Sequence, residues 1–154
     1  MADGEYQLML RGRDKSNNYS GQGDGTYDYK IRFQVIQQSS ITHVFNYPNP
    51  FSTSTRFVFT LTGSEIPSFF KIQIFNINGV IVKEIMLDEL GHIHIGDNIT
   101  DYAWDGTDMF GNRLASGVYF YRVITEINGE SIEKRSTVAD SFFKKGFGKM
   151  YLMR

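Results

Sequence analysis

Apolar and polar side chains alternate along most of the chain. Tyr6, Leu8 and Leu10 alternate with Gln7, Met9 and Arg11, which predicts a half-buried strand. Tyr27, Tyr29, Ile31, Phe33 and Val35 then alternate with Asp28, Lys30, Arg32 and Gln34. A period of two predicts a strand, since it leaves an α-helix no apolar face. Residues 14–25 (DKSNNYSGQGDG) between them are too polar and glycine-rich for anything but a loop, so the pair reads as a long-looped hairpin. A polar break at 37–40 reads as a linker. Phe57, Phe59 and Leu61 predict a strand after it, and so do residues 70–77 and 80–87. Asn78-Gly79 between the last two predicts a type I′ turn. A helix over 81–90 is compatible with Ile81 and Ile85, but the β-branched run favours the strand. Residues 92–95 and 102–104 predict short strands. Val118 and Phe120 oppose Tyr119, Tyr121 and Val123 in a strand over 118–126, which Asn128-Gly129 turns back into 131–138. A last short strand is expected at 149–153, in a tail rich enough in aromatics to dock rather than fray.

Short strands, turn signals and no long amphipathic helix predict an all-β fold, an immunoglobulin-like or fibronectin-III-like antiparallel β-sandwich. Residues 47–54 (YPNPFSTS) lie at its edge, because Pro48 and Pro50 lack the N–H that an interior strand needs. Trp104, Asp105, Gly106, Asp108 and Gly111 form a structural loop. The only Trp anchors one end of it and the aromatic strand the other. Two domains are expected: a hairpin over 1–37 that ends a preceding immunoglobulin-like domain, and a sandwich over 41–154 with its tail strand docked.

A chain of 154 residues can bury roughly 70% of its unfolded surface, so the sandwich needs no staple. The net charge of -1, with Lys144, Lys145 and Lys149 as the only basic run, argues against a nucleic-acid partner. No segment approaches the ~20 apolar residues of a membrane span, and the start has no signal-peptide pattern. Its Met-Ala reads as the start of a piece cut from a longer chain. Without Cys there is neither a disulfide nor a thiolate site.

Candidate chemistry is sparse. No Ser sits in a nucleophile elbow, and the His residues at 43, 92 and 94 do not pair with one by any pattern. The expectation is no enzyme, no cofactor and no metal. His92 and His94 share a strand face that Asp97 or Asp101 could complete as a metal site. The adopted reading is a solvent-facing edge with Ile93 and Ile95 buried. Asp14, Asn17 and Asn18, and again Asp105, Asp108 and Asn112, offer oxygens that suit calcium. The same residues also fill such loops by forming Asx-turns. Tyr19, Tyr27, Tyr29, Tyr119 and Tyr121 could make a sugar platform or pack within the sheets.

YPNPF, KIQIFNINGVIVKEI and WDGTDMFGNRLASGVYFYRV, in that order, resemble the immunoglobulin-like domain of the flagellar hook-capping protein family over residues 41–123. The ending GFGKMYLMR resembles the last strand of the C-terminal sorting domain used by the type IX secretion system of Bacteroidetes. The motifs of that family fall on Pro48, Asn49 and Pro50, on Gly117, Val118 and Tyr119, and on Gly148, Lys149, Met150, Tyr151 and Leu152. The WDG loop and the insert over 139–147 depart from compact sorting domains. The first two strands are similar to the end of an immunoglobulin-like repeat in large surface proteins, gingipain-like cysteine peptidases among them.

The resemblance implies a non-catalytic C-terminal module that directs secretion and surface attachment of a larger bacterial protein. Its partners would be proteins of the secretion and outer-membrane machinery, with attachment to a cell-surface polysaccharide after processing as an added step. The final strand, beside its basic residues, is expected to pair along a receptor's sheet edge. Two alternatives are an architectural module in an extracellular assembly and a carbohydrate- or calcium-binding sandwich.

Overall fold

The computed structural model describes residues 4–10, 12, 15, 29–35, 38–134, 143–144 and 146–154. Asp14, Asn17, Asn18, Tyr19, Tyr27, Phe142 and Lys145 lie outside the described residues. The chain divides into two compact units, Met1–Gln38 and Ser39–Arg154.

In the first unit, β1 (Gly4–Leu10) pairs antiparallel with β2 (Tyr29–Val35). The register places Tyr6 opposite Phe33 and Leu8 opposite Ile31. The Tyr6 and Phe33 rings stack with centroids 5.8 Å apart. Cross-strand aromatic and branched pairs of this kind stabilise a hairpin. The face they share is nevertheless open: Leu8, Leu10, Ile31 and Phe33 are all exposed.

The second unit is a sandwich of two sheets. Its elements are β3 (Ser40–Tyr47), β4 (Arg56–Thr62), β5 (Phe69–Phe75), β6 (Ile81–Met86), α1 (Leu87–Leu90), β7 (Gly96–Ile99), β8 (Gly117–Ile127), β9 (Glu130–Ser131), β10 (Glu133–Lys134), β11 (Phe143–Lys144) and β12 (Phe147–Leu152). One sheet has the order β10-β3-β4-β7 and the other β11-β12-β8-β5-β6, with β9 beside β8. All pairings are antiparallel except that of β10 with β3. Among the described residues no helix is long and apolar enough to cross a membrane.

Alternation decides what is inside. Phe57, Phe59 and Leu61 of β4 face Phe70, Ile72 and Ile74 of β5, all buried. Rings bridge the two sheets: Phe57 meets Tyr121 edge-on at 5.1 Å, and Phe59 meets Phe70 at 4.8 Å. Burying each such side chain contributes about 1.5–3 kcal/mol. In β3 a bulge shifts the register between Thr42 and Phe45, with His43 at φ 52°. The extra residue lets Ile41 and Val44 both reach the core.

Several local expectations change. Asn78 does not take positive φ, so its turn is not type I′; only Gly79 does, at 77°. Asn76 explains this. Its Oδ1 accepts from the N–H of Asn78 and of Val80, both at 3.0 Å, and so shapes a longer turn. Asn128 and Gly129 take φ 52° and 85°, as a type I′ turn requires. The strand expected to end at Leu87 stops at Met86, and one helical turn follows. Residues 92–95 are not a strand. Asn98, buried, donates to the His94 and Gly96 carbonyls and holds the segment as a loop, with Ile93 buried and Ile95 exposed. Trp104 makes a single bridge with Thr55 in place of a strand. The strand expected over 131–138 is, as far as described, a two-residue β9 followed by β10 in the opposite sheet.

Candidate functional site

The three groups of sequence-predicted site residues converge on β12. Gly117 pairs with Leu152, Val118 with Tyr151 and Tyr119 with Met150 along one antiparallel ladder. Residues 48–51 run along the opposite edge of β12. Pro48 and Pro50 have no N–H to give, so the side chain of Asn49 replaces a strand backbone. Its Nδ2 donates to the Lys149 carbonyl at 2.9 Å, and its Oδ1 accepts from the Tyr151 N–H at 3.0 Å. Phe51 continues the row, donating to the Tyr151 carbonyl at 3.0 Å and accepting from Met153 N–H at 2.8 Å.

Both hydrogen-bonding edges of this part of β12 are therefore filled. The expectation that the strand offers a receptor a free edge is corrected on this point. Three of the five tail residues are also not surface. Gly148, Met150 and Leu152 are buried, and a Cβ at Gly148 would lie only 1.9 Å from Tyr121 Cζ. Lys149 and Tyr151 point outward, with the Lys149 Nζ 4.9 Å above the Tyr151 ring.

The loop that begins at Trp104 holds the end of this strand. Trp104 is fully buried, packed between Phe51 at 5.6 Å and Tyr119 at 5.7 Å. Its Nε1 donates to the Thr107 carbonyl at 2.9 Å. Tyr119 donates its hydroxyl to the Ala115 carbonyl at 2.8 Å, and burial pushes its phenol pKa up. Gly106 has φ 74°, and a Cβ there would lie 2.9 Å from both the Leu152 side chain and the Arg154 guanidinium. That guanidinium donates to the carbonyls of Asp105 and Leu114, and the Arg154 N–H donates to Ser116 Oγ.

The loop's carboxylates are turned to its own donors. Asp105 Oδ1 accepts from the Thr107 hydroxyl at 2.6 Å and its N–H at 3.1 Å. The Thr107 hydroxyl is the main reason its pKa lies below the ordinary 3.8. Asp108 accepts from the N–H of Phe110 and Asn112 and from the Asn112 side chain, which chiefly holds its pKa low. Gly111, at φ 83°, closes that turn with an N–H to the Asp108 carbonyl. These are Asx-turns. Among the described residues no three of His, Cys, Asp and Glu converge as a metal site. The His92 and His94 rings stack at 6.3 Å, while Asp97 accepts from Thr60.

Arg154, Thr55 and Asn46 were missed in the sequence. Asn46 and Thr55 are buried and bond each other at 3.0 Å, and Thr55 donates to the Pro48 carbonyl at 2.8 Å. An Asn and a Thr in edge segments carry no signal by type or spacing.

No family model and no curated protein matches the sequence. Among solved structures, the fold is similar to that of dimeric latent PorU from Porphyromonas gingivalis, with 19% sequence identity and a TM-score of 0.56. The match covers 99% of this chain and 12% of that one, so the chain spans about an eighth of the length of the protein it resembles in fold.

Proposed function

We propose that the Ser39–Arg154 unit is a non-catalytic module that directs a larger bacterial protein out of the cell and onto its surface through the type IX secretion system. The observation that carries this reading is the convergence of Pro48, Asn49 and Pro50, of Gly117, Val118 and Tyr119, and of residues 148–152 on one ladder. Motifs that are scattered along the sequence act as one built feature. The fold likeness to latent PorU supports a secretion-associated setting. Residues 1–37 belong, on this reading, to the end of a preceding sandwich, whose remaining strands would cover Leu8, Leu10, Ile31 and Phe33. Secretion-machinery proteins are its partners, and a cell-surface polysaccharide becomes attached after processing.

A passenger protein fused ahead of the whole chain tests this. It should reach the surface or medium of cells that have the type IX system and stay inside an otherwise identical strain without it. Equal export from both strains, or retention in both, sinks the reading. A second reading, an architectural module that self-associates, draws support from the open apolar face of the β1–β2 hairpin. A sedimentation coefficient that does not change with concentration would remove it.

A further inference from the structure

The outward face of the larger sheet carries aromatic rings with cations over them. One rung crosses four strands: Lys149 lies beside Phe120, Phe120 beside Phe75, and Phe75 beside Ile81. Phe147 meets the Phe75 ring edge-on at 5.7 Å. Tyr151 pairs with Val118 on the next outward rung. Phe147 and Tyr151 are each 39% exposed, so this is an aromatic surface and not a second core.

Two cations stand on it. The Arg122 guanidinium lies 6.0 Å from the Phe147 ring centroid, and Lys149 covers Tyr151. Neither has a carboxylate partner among the described residues, where Lys71 with Glu84 at 3.2 Å is the only ion pair. Glu84 is further occupied by Gln73 at 2.7 Å. The nearest outward carboxylate along β8, Glu126, is four residues from Arg122, about 13 Å away. The chain as a whole carries a net charge of -1, so this positive face is a local concentration.

We propose that this face, centred on Phe147, Lys149, Tyr151, Phe120, Phe75 and Arg122, docks an acidic protein surface. Charge complementarity selects the sign of the partner: two cations over aromatic rings, with no carboxylate partner among the described residues, attract carboxylates and repel basic surfaces. The shape selects a protein. The recess at its margin, about 380 Å³ and lined in part by Arg122, Ile124, Ser131 and Phe147, is an open depression and leaves Lys149, Tyr151, Phe120 and Phe75 on the surface outside it, and exposed Tyr, Phe and Arg are the residue types that anchor protein interfaces. The inference supplies the partner-facing surface of the module proposed above and rests on that reading. It also explains how β12 can be recognised with both its edges filled: through its outward side chains.

Two measurements test it on the full chain. In the first, the chain is titrated with a glutamate–tyrosine copolymer and, separately, with polygalacturonate. Arg122→Glu with Lys149→Glu should weaken copolymer binding about tenfold or more. Phe45→Ser with Ile99→Ser, on the outward face of the other sheet, should leave it unchanged. An unaltered melting temperature shows that each variant is folded. No copolymer binding, binding that the charge reversal does not weaken, or tighter charge-dependent binding to polygalacturonate each overturns the proposal, the last in favour of an acidic polysaccharide. In the second, the same variants are placed in the passenger fusion. Loss of export on charge reversal supports the face, and undiminished export overturns it. A wild-type fusion that is not exported overturns the module reading, and the titration then stands by itself.

Discussion

The β1–β2 hairpin and β12 carry the same kind of pattern and meet opposite fates. Tyr6, Leu8 and Leu10 alternate as regularly as Gly148, Met150 and Leu152. Leu8 is 47% exposed, while Met150 is 0% exposed. The difference is neighbours. Two strands make a single layer, and the described residues of the first unit supply no second layer to cover its apolar face. β12 has β8 on one edge, Asn49 and Phe51 on the other, and the opposite sheet across the core. Alternation states which side chains would go inside, and the number of layers determines whether there is an inside.

The largest expected contrast comes from truncation. Removing residues 148–154 takes away Met150 and Leu152, each at about 2–5 kcal/mol by analogy with core truncations. It also opens the edge of β8. Against a total stability of about 5–15 kcal/mol, the Ser39–Arg154 unit should lose its cooperative calorimetric transition. A chain that starts at Ser39 should keep one. If the tail-less chain still melts cooperatively, β12 is an appendage and the contrast collapses. Loss of export on deleting this tail would accordingly report unfolding as much as a lost signal.

Single substitutions sharpen the same contrast. Met150→Ala should cost about 2–5 kcal/mol in urea unfolding, and Leu8→Ala no more than about 0.5 kcal/mol. An equal cost at Leu8 would mean that the hairpin face is covered in solution. Asn49→Ala has the smallest effect of the tail contacts, about 1–2 kcal/mol, since its two hydrogen bonds lie at an exposed edge. Amide exchange at Tyr151 should speed up more than at Met150. Equal protection at the two amides would mean that Asn49 does not seal this edge.

The two Asn-Gly turns show where local reading stops. The dipeptide is the same at 78–79 and at 128–129, yet only the second takes positive φ at both residues. Asn76 is responsible, because a carboxamide two residues upstream competes for the backbone N–H groups that shape the turn. The strand over 92–95 failed similarly: alternating His and Ile predicted pairing, but Asn98 captured the segment's backbone. In the site, the residue groups were legible and their contacts were not. Trp104, expected as a scaffold residue, is buried between Phe51 and Tyr119. Arg154 and its grip on the Asp105 and Leu114 carbonyls had no marker in composition or period.

The sequence by itself determined the all-β class, the alternation that puts Phe57, Phe59 and Leu61 on one face of β4, and the placement of Pro48 and Pro50 outside any central strand. Each of these follows from the period of a single strand or the missing N–H of a single residue, and such causes act within a few positions. The tertiary structure alone decided that Asn49 would stand in for a strand beside Lys149 and Tyr151, about a hundred residues away. It also decided that the tail would be core on one face and a cationic aromatic surface on the other. Those outcomes depend on which strands become neighbours when the sandwich closes, and neither alternation nor turn chemistry specifies a partner at that separation.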